Sequence, residues 1–232
     1  MTLFACSNNN SKIQTIDGKI KVADKLYAKG KYNKAADYYQ DIVFEKRSIH
    51  TAKAQYYLAE SYFNLKRYTD AIVEYKELIR LFPDSKDSSN AYFRIGEANL
   101  EQSLSPQYTQ EETLAAVDAF EEFLERFPFD EKKDLAIDYL NEANFKLLEK
   151  KFENGLIYYH LFDYSSALLY FSEIIELGNR NQLDLRSRYY AALIYLKRKD
   201  KDNVQLMLTT LQNHYPNSSE TKKILARFNK KF

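Results

Sequence analysis

The chain has 232 residues, 45% hydrophobic and 29% charged, enough to bury a core as one elongated array or at most two lobes. Five Gly and four Pro leave too little turn chemistry for a β-rich fold, and a net charge of +1 does not imply a general nucleic-acid binder. The single cysteine, Cys6, excludes an internal disulfide, and no apolar run reaches the roughly 18 residues needed to span a bilayer.

The first residues, Met1 to Ser7, look like the end of a bacterial lipoprotein signal. Such a signal closes on Leu-x-Ala/Gly-Cys, which Leu3, Ala5 and Cys6 fit, with Phe4 bulkier than usual. The charged and apolar parts that precede this end are missing here, so the start codon is placed late or the chain was cut. The likeness implies lipidation of Cys6, and Ser7 after it is the form associated with sorting to the outer membrane. Ser7 to Lys12 then reads as a polar tether, so residues 1–15 are signal remnant and linker. The alternative is an incidental thiol near a frayed end.

From residue 16 the chain repeats itself. A small residue is followed by an aromatic or leucine four positions on: Ala35 and Tyr39, Ala71 and Tyr75, Ala116 and Phe120, Ala167 and Phe171, Val204 and Leu208. This is the 34-residue tetratricopeptide pattern of paired helices. The predicted fold class is all-α, a tetratricopeptide-repeat superhelix of about five helix pairs with a C-terminal capping helix.

Repeat 1 covers about 16–48 and turns at Gly30-Lys31-Tyr32. Repeat 2 covers 52–84, turns at Lys66-Arg67-Tyr68 and is stopped by Pro83. Repeat 3 opens near 88 and then departs from the period, with eight extra residues around 103–110 of loop composition. Thr109 or Gln110 is placed to cap its second helix, which ends at Pro128. Residues 16–128 therefore form an N-terminal part, and 129–232 a C-terminal one. The latter begins with a helical stretch from Asp130 to about Leu161, either one long helix or an extra helix before repeat 4. Phe162-Asp163-Tyr164 turns within repeat 4, Lys199-Asp200-Lys201 within repeat 5 (185–216), and Ser218 or Ser219 caps a last helix over Glu220–Phe228.

Charge is unevenly spread: residues 101–179 carry −11 and residues 180–232 carry +8. That is either solvated helix faces or two docking surfaces of opposite sign.

The lipoprotein-type Cys6, five repeats, the expanded repeat 3 and the run Ala119-Phe120-Glu121-Glu122-Phe123-Leu124-Glu125-Arg126-Phe127-Pro128 together resemble the BamD family of outer-membrane-protein assembly factors. Tyr32-Asn33-Lys34-Ala35-Ala36, Ala91-Tyr92-Phe93-Arg94-Ile95-Gly96 and Lys151 to Tyr159 match its pattern too. Repeat 1 departs by lacking a Tyr-Pro end, and repeat 4 by ending in Gly178-Asn179-Arg180. The resemblance implies a protein on the periplasmic face of the outer membrane, anchored through Cys6. It implies that C-terminal repeats bind the POTRA domains of a BamA-like β-barrel. N-terminal repeats would offer a groove to C-terminal segments of unfolded outer-membrane proteins.

In repeats of this kind the first helices line the concave face. Aligning the small residues puts Ile20, Asp24, Tyr27, Tyr56, Glu60, Phe63, Asn64, Phe93, Glu97 and Leu100 inward. Tyr27, Tyr56, Phe63 and Phe93 are the expected apolar contacts to a client, and Glu60 and Asn64 the polar ones. Some of these aromatics equally suit packing between repeats. Arg186, Arg188, Tyr189 and Lys197 of repeat 5 are the expected partner-docking residues, with a solvated basic face as the alternative.

No catalytic residue, metal site or cofactor is expected: His50, His160 and His214 share no ligand spacing, and no Gly-rich phosphate loop is present. Rival readings are a periplasmic adaptor like the Tol-associated cell-division factor, whose repeats also read as Phe82-Pro83-Asp84-Ser85 does here, a cytosolic peptide-tail adaptor, and an array without a client groove.

Overall fold

The computed structural model describes residues 15–45 and 48–232; Cys6 and its expected lipidation lie outside the described residues. Among the described residues the regular structure is eleven α-helices: α1 (Ile16–Ala28), α2 (Tyr32–Phe44), α3 (Thr51–Asn64), α4 (Tyr68–Leu81), α5 (Ser88–Gln102), α6 (Glu111–Arg126), α7 (Lys133–His160), α8 (Tyr164–Glu176), α9 (Gln182–Arg198), α10 (Lys201–His214) and α11 (Ser219–Lys231).

Helix ends follow the local chemistry. The side chains of Thr15, Asp163, Asn181, Asp200 and Ser218 each accept a backbone N–H of the first turn they cap. Ser218, rather than Ser219, caps α11. At the other end, the first helix of four repeats closes on a residue with positive φ: Gly30 (69°), Lys66 (59°), Phe162 (62°) and Lys199 (59°). Each is the first residue of one of the four expected turns, and the left-handed conformation lets the chain reverse within three residues. Only the first of the four is glycine, the residue for which this conformation has no steric penalty.

The long stretch after Pro128 is one continuous helix of 28 residues, about 42 Å long at 1.5 Å per residue. In the loop of repeat 3, Gln110 is buried and its amide donates to the carbonyls of Ser105 and Thr109 at 3.0 and 2.9 Å. Its side chain thus holds the inserted residues together.

The chain divides into two compact units. The first comprises the described residues through Leu104 together with Glu111–Ala143; the second comprises Ser105–Gln110 with Asn144–Phe232. In the first, each of α1 to α6 packs on its sequence neighbour. Its cores gather Ala23, Ala35, Tyr39, Ala59 and Tyr75, and then Phe93, Phe120, Phe123 and Ala136. In the second, α8, α9 and α10 pack in order and α11 covers both α9 and α10. Its core joins Phe152, Phe171 and Ile194 to Ala192, Val204, Leu208 and Ile224.

The repeating contact is a small residue on the first helix beneath an aromatic of the second. Gly96 lies under Phe120 and Gly155 under Phe171, so close that a methyl group would come within 2.6 and 2.7 Å of the ring. The matching Tyr39 and Tyr75 of the first two repeats are also fully buried.

Candidate functional site

The first helices of the N-terminal unit bring Tyr27, Glu60, Asn64 and Arg94 into one hydrogen-bonded cluster. The reason lies in the repeat: Tyr27 and Glu60 are 33 residues apart and Glu60 and Arg94 are 34 apart, so each occupies nearly the same place on successive first helices. Glu60 is the hub. It accepts from Tyr75 Oη at 2.5 Å, from Arg94 Nε at 2.9 Å and Nη2 at 3.3 Å, and from Tyr27 Oη at 3.3 Å. Arg94 Nη1 also donates to Glu97 at 2.7 Å. Asn64 Nδ2 donates to the Glu60 carbonyl at 2.7 Å and to Tyr27 Oη at 3.3 Å.

The Glu60 side chain is only 6% exposed, so its charge depends on these donors. Burial, and next the Glu60 charge, push the hydroxyls of Tyr27, Tyr56 and Tyr75 above the ordinary tyrosine value. Burial works against the charge on Arg94, but Glu60 and then Glu97 hold the guanidinium above its ordinary value. The cluster is therefore a staple joining α1, α3, α4 and α5.

This corrects one expectation. Glu60 is fully engaged within the protein and is not a polar group free to meet a client. Phe93 is a second correction: it is 3% exposed, packed edge-on against Phe120 and Phe123 and tilted against Tyr139, because its ring points into the core of repeat 3.

The other expected residues lie at the surface of the staple. Tyr27, Tyr56 and Phe63 are half-buried and Asn64 is exposed. The Phe63 ring carries the Arg94 guanidinium 4.6 Å from its centre and meets Tyr68 edge-on at 5.3 Å. Tyr56 rests on Tyr57 and Tyr75. Further along α5, Glu97 and Leu100 line a cleft of about 230 Å³ with Glu101, Tyr139 and Glu142, an anionic end to the same unit. Arg94 is absent from the sequence expectation, although its 34-residue offset from Glu60 marks the position.

In the C-terminal unit the four expected docking residues do not share one face. Arg188 is a third correction. Its side chain is 12% exposed, its Nε donates to both Asp184 oxygens at 3.0 Å, and Asp184 also accepts from Tyr215 Oη at 2.7 Å. Arg188 neutralises a buried carboxylate and is not available to a partner. Arg186 and Lys197 are eleven residues apart, three helical turns, and so lie along one side of α9. The Arg186 guanidinium sits 4.2 Å from the centre of the Phe152 ring. The Lys197 ammonium lies 5.3 Å from the Tyr164 ring and 6.0 Å from that of Phe162. Tyr189 is half-buried against Tyr190.

Among the described residues no group of three or more His, Cys, Asp or Glu is placed to hold a metal ion, and no helix is long and apolar enough to cross a membrane.

The family model YfiO, described as outer membrane lipoprotein, matches residues 20–176, and a tetratricopeptide-repeat model matches residues 186–218. No curated protein matches this chain. Among solved structures, the tetratricopeptide-repeat domain of P58(IPK) is 17% identical, with 93% of this chain and 54% of that chain covered and a TM-score of 0.48. The chain thus spans about half the length of that domain. The TPR2AB domain of yeast Sti1, in a pHSP90 complex, is 15% identical over 92% of this chain and 83% of that one, with a TM-score of 0.49. MamA protein is 18% identical over 93% and 91%, with a TM-score of 0.39.

Proposed function

The chain belongs to the YfiO family of outer membrane lipoproteins, and from that premise we propose that it is a non-catalytic scaffold of the machinery that assembles β-barrels into the outer membrane. Its tetratricopeptide helix pairs present side chains rather than chemistry. Anchored at the periplasmic face through acylated Cys6, the N-terminal unit receives C-terminal segments of unfolded outer-membrane proteins. The C-terminal unit docks the POTRA domains of a BamA-like barrel through Arg186, Tyr189 and Lys197.

The observation that carries this reading is the edge formed by Tyr27, Tyr56, Phe63 and exposed Asn64, inside the region that the family model covers. An extended segment with a terminal aromatic needs apolar rings to rest on and a polar group to meet its backbone. Phe63 and Tyr56 supply the rings, and the Asn64 amide oxygen an acceptor for a backbone N–H. The buried Glu60–Arg94 pair fixes where these side chains stand, so little ordering is required on binding.

The test is a titration of the full chain with purified POTRA domains and, separately, with a peptide copying the C-terminal segment of an outer-membrane barrel. Saturable binding of both supports the proposal. If neither binds while Tol-type envelope proteins do, the assembly role is wrong and the adaptor reading replaces it.

A further inference from the structure

The C-terminal unit holds a second surface feature, a groove between α9 and α11 with a volume of about 390 Å³. Leu193 and Leu196 form its apolar part, and Lys197, Arg227, Lys230 and Lys231 line the rest. Among the described residues no Asp or Glu side chain lines it. Lys231 is already used: its ammonium donates to the Leu196 carbonyl at 2.5 Å and so fastens α11 to the last turn of α9. Lys197, Arg227 and Lys230 are exposed, and among the described residues neither Arg227 nor Lys230 forms an ion pair.

Next to the groove, the Lys197 ammonium lies 6.0 Å from the ring of Phe162, which is 73% exposed at the α7–α8 turn. A bulky side chain at φ 62° is a rare choice, and placing it in solvent adds an apolar edge beside the cationic rim.

Two occupants match an apolar floor with a one-sign cationic rim: an anionic lipid surface, or an acidic protein segment with apolar side chains. The packing of α11 decides between them. A basic helix binds a membrane by burying its apolar face in it, but here Ile224, Leu225 and Phe228 are packed on the core of the unit. What remains for a ligand is an open groove with two leucines on its floor and cations along its rim, which suits the apolar and acidic side chains of a polypeptide. We propose that this groove docks an acidic, apolar-bearing segment of a partner protein. Its leucine-like side chains sit over Leu193 and Leu196, and its carboxylates face Arg227, Lys230 and Lys197. This deepens the scaffold reading of the same unit and extends the docking surface to residues of the capping helix.

The test titrates the full chain with a synthetic amphipathic helix of glutamate and leucine, and with its lysine–leucine counterpart. The wild type should bind the first in a salt-sensitive manner and ignore the second. Arg227→Glu/Lys230→Glu should weaken that binding by about tenfold or more. Both positions are exposed; should the pair lose helicity, Lys197→Glu serves as the same test. No binding of the acidic peptide, or equal binding by wild type and variant, overturns the proposal. So does charge-dependent binding to phosphatidylglycerol vesicles that the variant loses while peptide binding persists. POTRA domains that fail to bind although the peptide binds would remove the assembly partner and leave the groove standing. POTRA domains that bind wild type and variant alike, with the peptide unbound, would leave the assembly reading and remove the groove.

Discussion

Gly96 and Phe120 share a single space: a methyl group at Gly96 would stand 2.6 Å from Phe120 Cε1. The ring fills the gap that the missing side chain leaves between α5 and α6, and both residues are buried. The same relation holds between Gly155 and Phe171. Close approach of the paired helices therefore depends on the first residue being small and the second being large.

Gly96→Ala should destabilise the protein. Alanine gains about 1 kcal/mol of helix propensity, but overpacking against a fully buried ring costs about 1–3 kcal/mol. A net loss of up to about 2 kcal/mol follows, read as a lower urea midpoint at unchanged slope. Adding Phe120→Leu should restore part of it. If Gly96→Ala alone raises the midpoint, the contact is looser than its geometry states.

Glu60→Ala should be among the most damaging surface-adjacent changes. It strips Arg94, Tyr75 and Tyr27 of a common acceptor. Breaking a buried pair costs about 3–5 kcal/mol, and the lower end applies because the Arg94 side chain is 31% exposed and keeps Glu97. Glu60→Leu combined with Arg94→Met should recover most of the loss, since neither charge is then stranded. Equilibrium unfolding of the wild type and the two variants measures it; a double variant no better than Glu60→Ala would contradict the hub role.

Phe93→Ala and Asn64→Ala should separate core from groove. Truncating buried Phe93 costs about 3–5 kcal/mol of stability. Asn64 is exposed, so its truncation should leave the melting temperature within a few degrees yet weaken the client peptide by about three- to tenfold. Paired melting and peptide titrations check this. Equal peptide affinity in wild type and Asn64→Ala would remove that residue from the site.

Alkaline pH should unfold the protein through its tyrosines. Burial first, then the Asp24 and Glu60 carboxylates that their hydroxyls meet, raise Tyr39 and Tyr75 above the ordinary value. Below about pH 10 both states keep these protons and the full stability is present. Above it the unfolded chain releases protons that the folded chain retains, so stability falls as pH rises, by up to about 1.4 kcal/mol per pH unit for each such group. Phenolate absorbance should appear together with loss of helical circular dichroism. Tyr75→Phe should flatten the slope; gradual ionisation of all tyrosines with helicity intact would contradict the burial.

Sequence alone determined the all-α class, the 34-residue period, the turns and most helix limits. Those features depend on small-to-aromatic spacing, caps and Pro, which act within a few residues of chain. The period also put Tyr27, Tyr56, Phe63 and Asn64 on first helices, where they are half-buried or, for Asn64, exposed. Tertiary structure alone decided what that surface does with its charges. Glu60 and Arg94 are ordinary polar residues in the sequence, and only the approach of α3 and α5 joins them in an ion pair with a buried carboxylate. Phe93 has the helical phase of a groove residue, yet the α6 aromatics and Tyr139 of α7 capture its ring. Arg188 reads as a surface cation until Asp184, one turn earlier, is seen buried beneath Tyr215. The continuity of α7 is likewise open in the sequence; in the structure its first part packs in the core of the first unit and its second part in that of the second. Spacing along a chain fixes which residues lie on one face; burial of their charges depends on which helix arrives opposite, a contact made over a full repeat of chain.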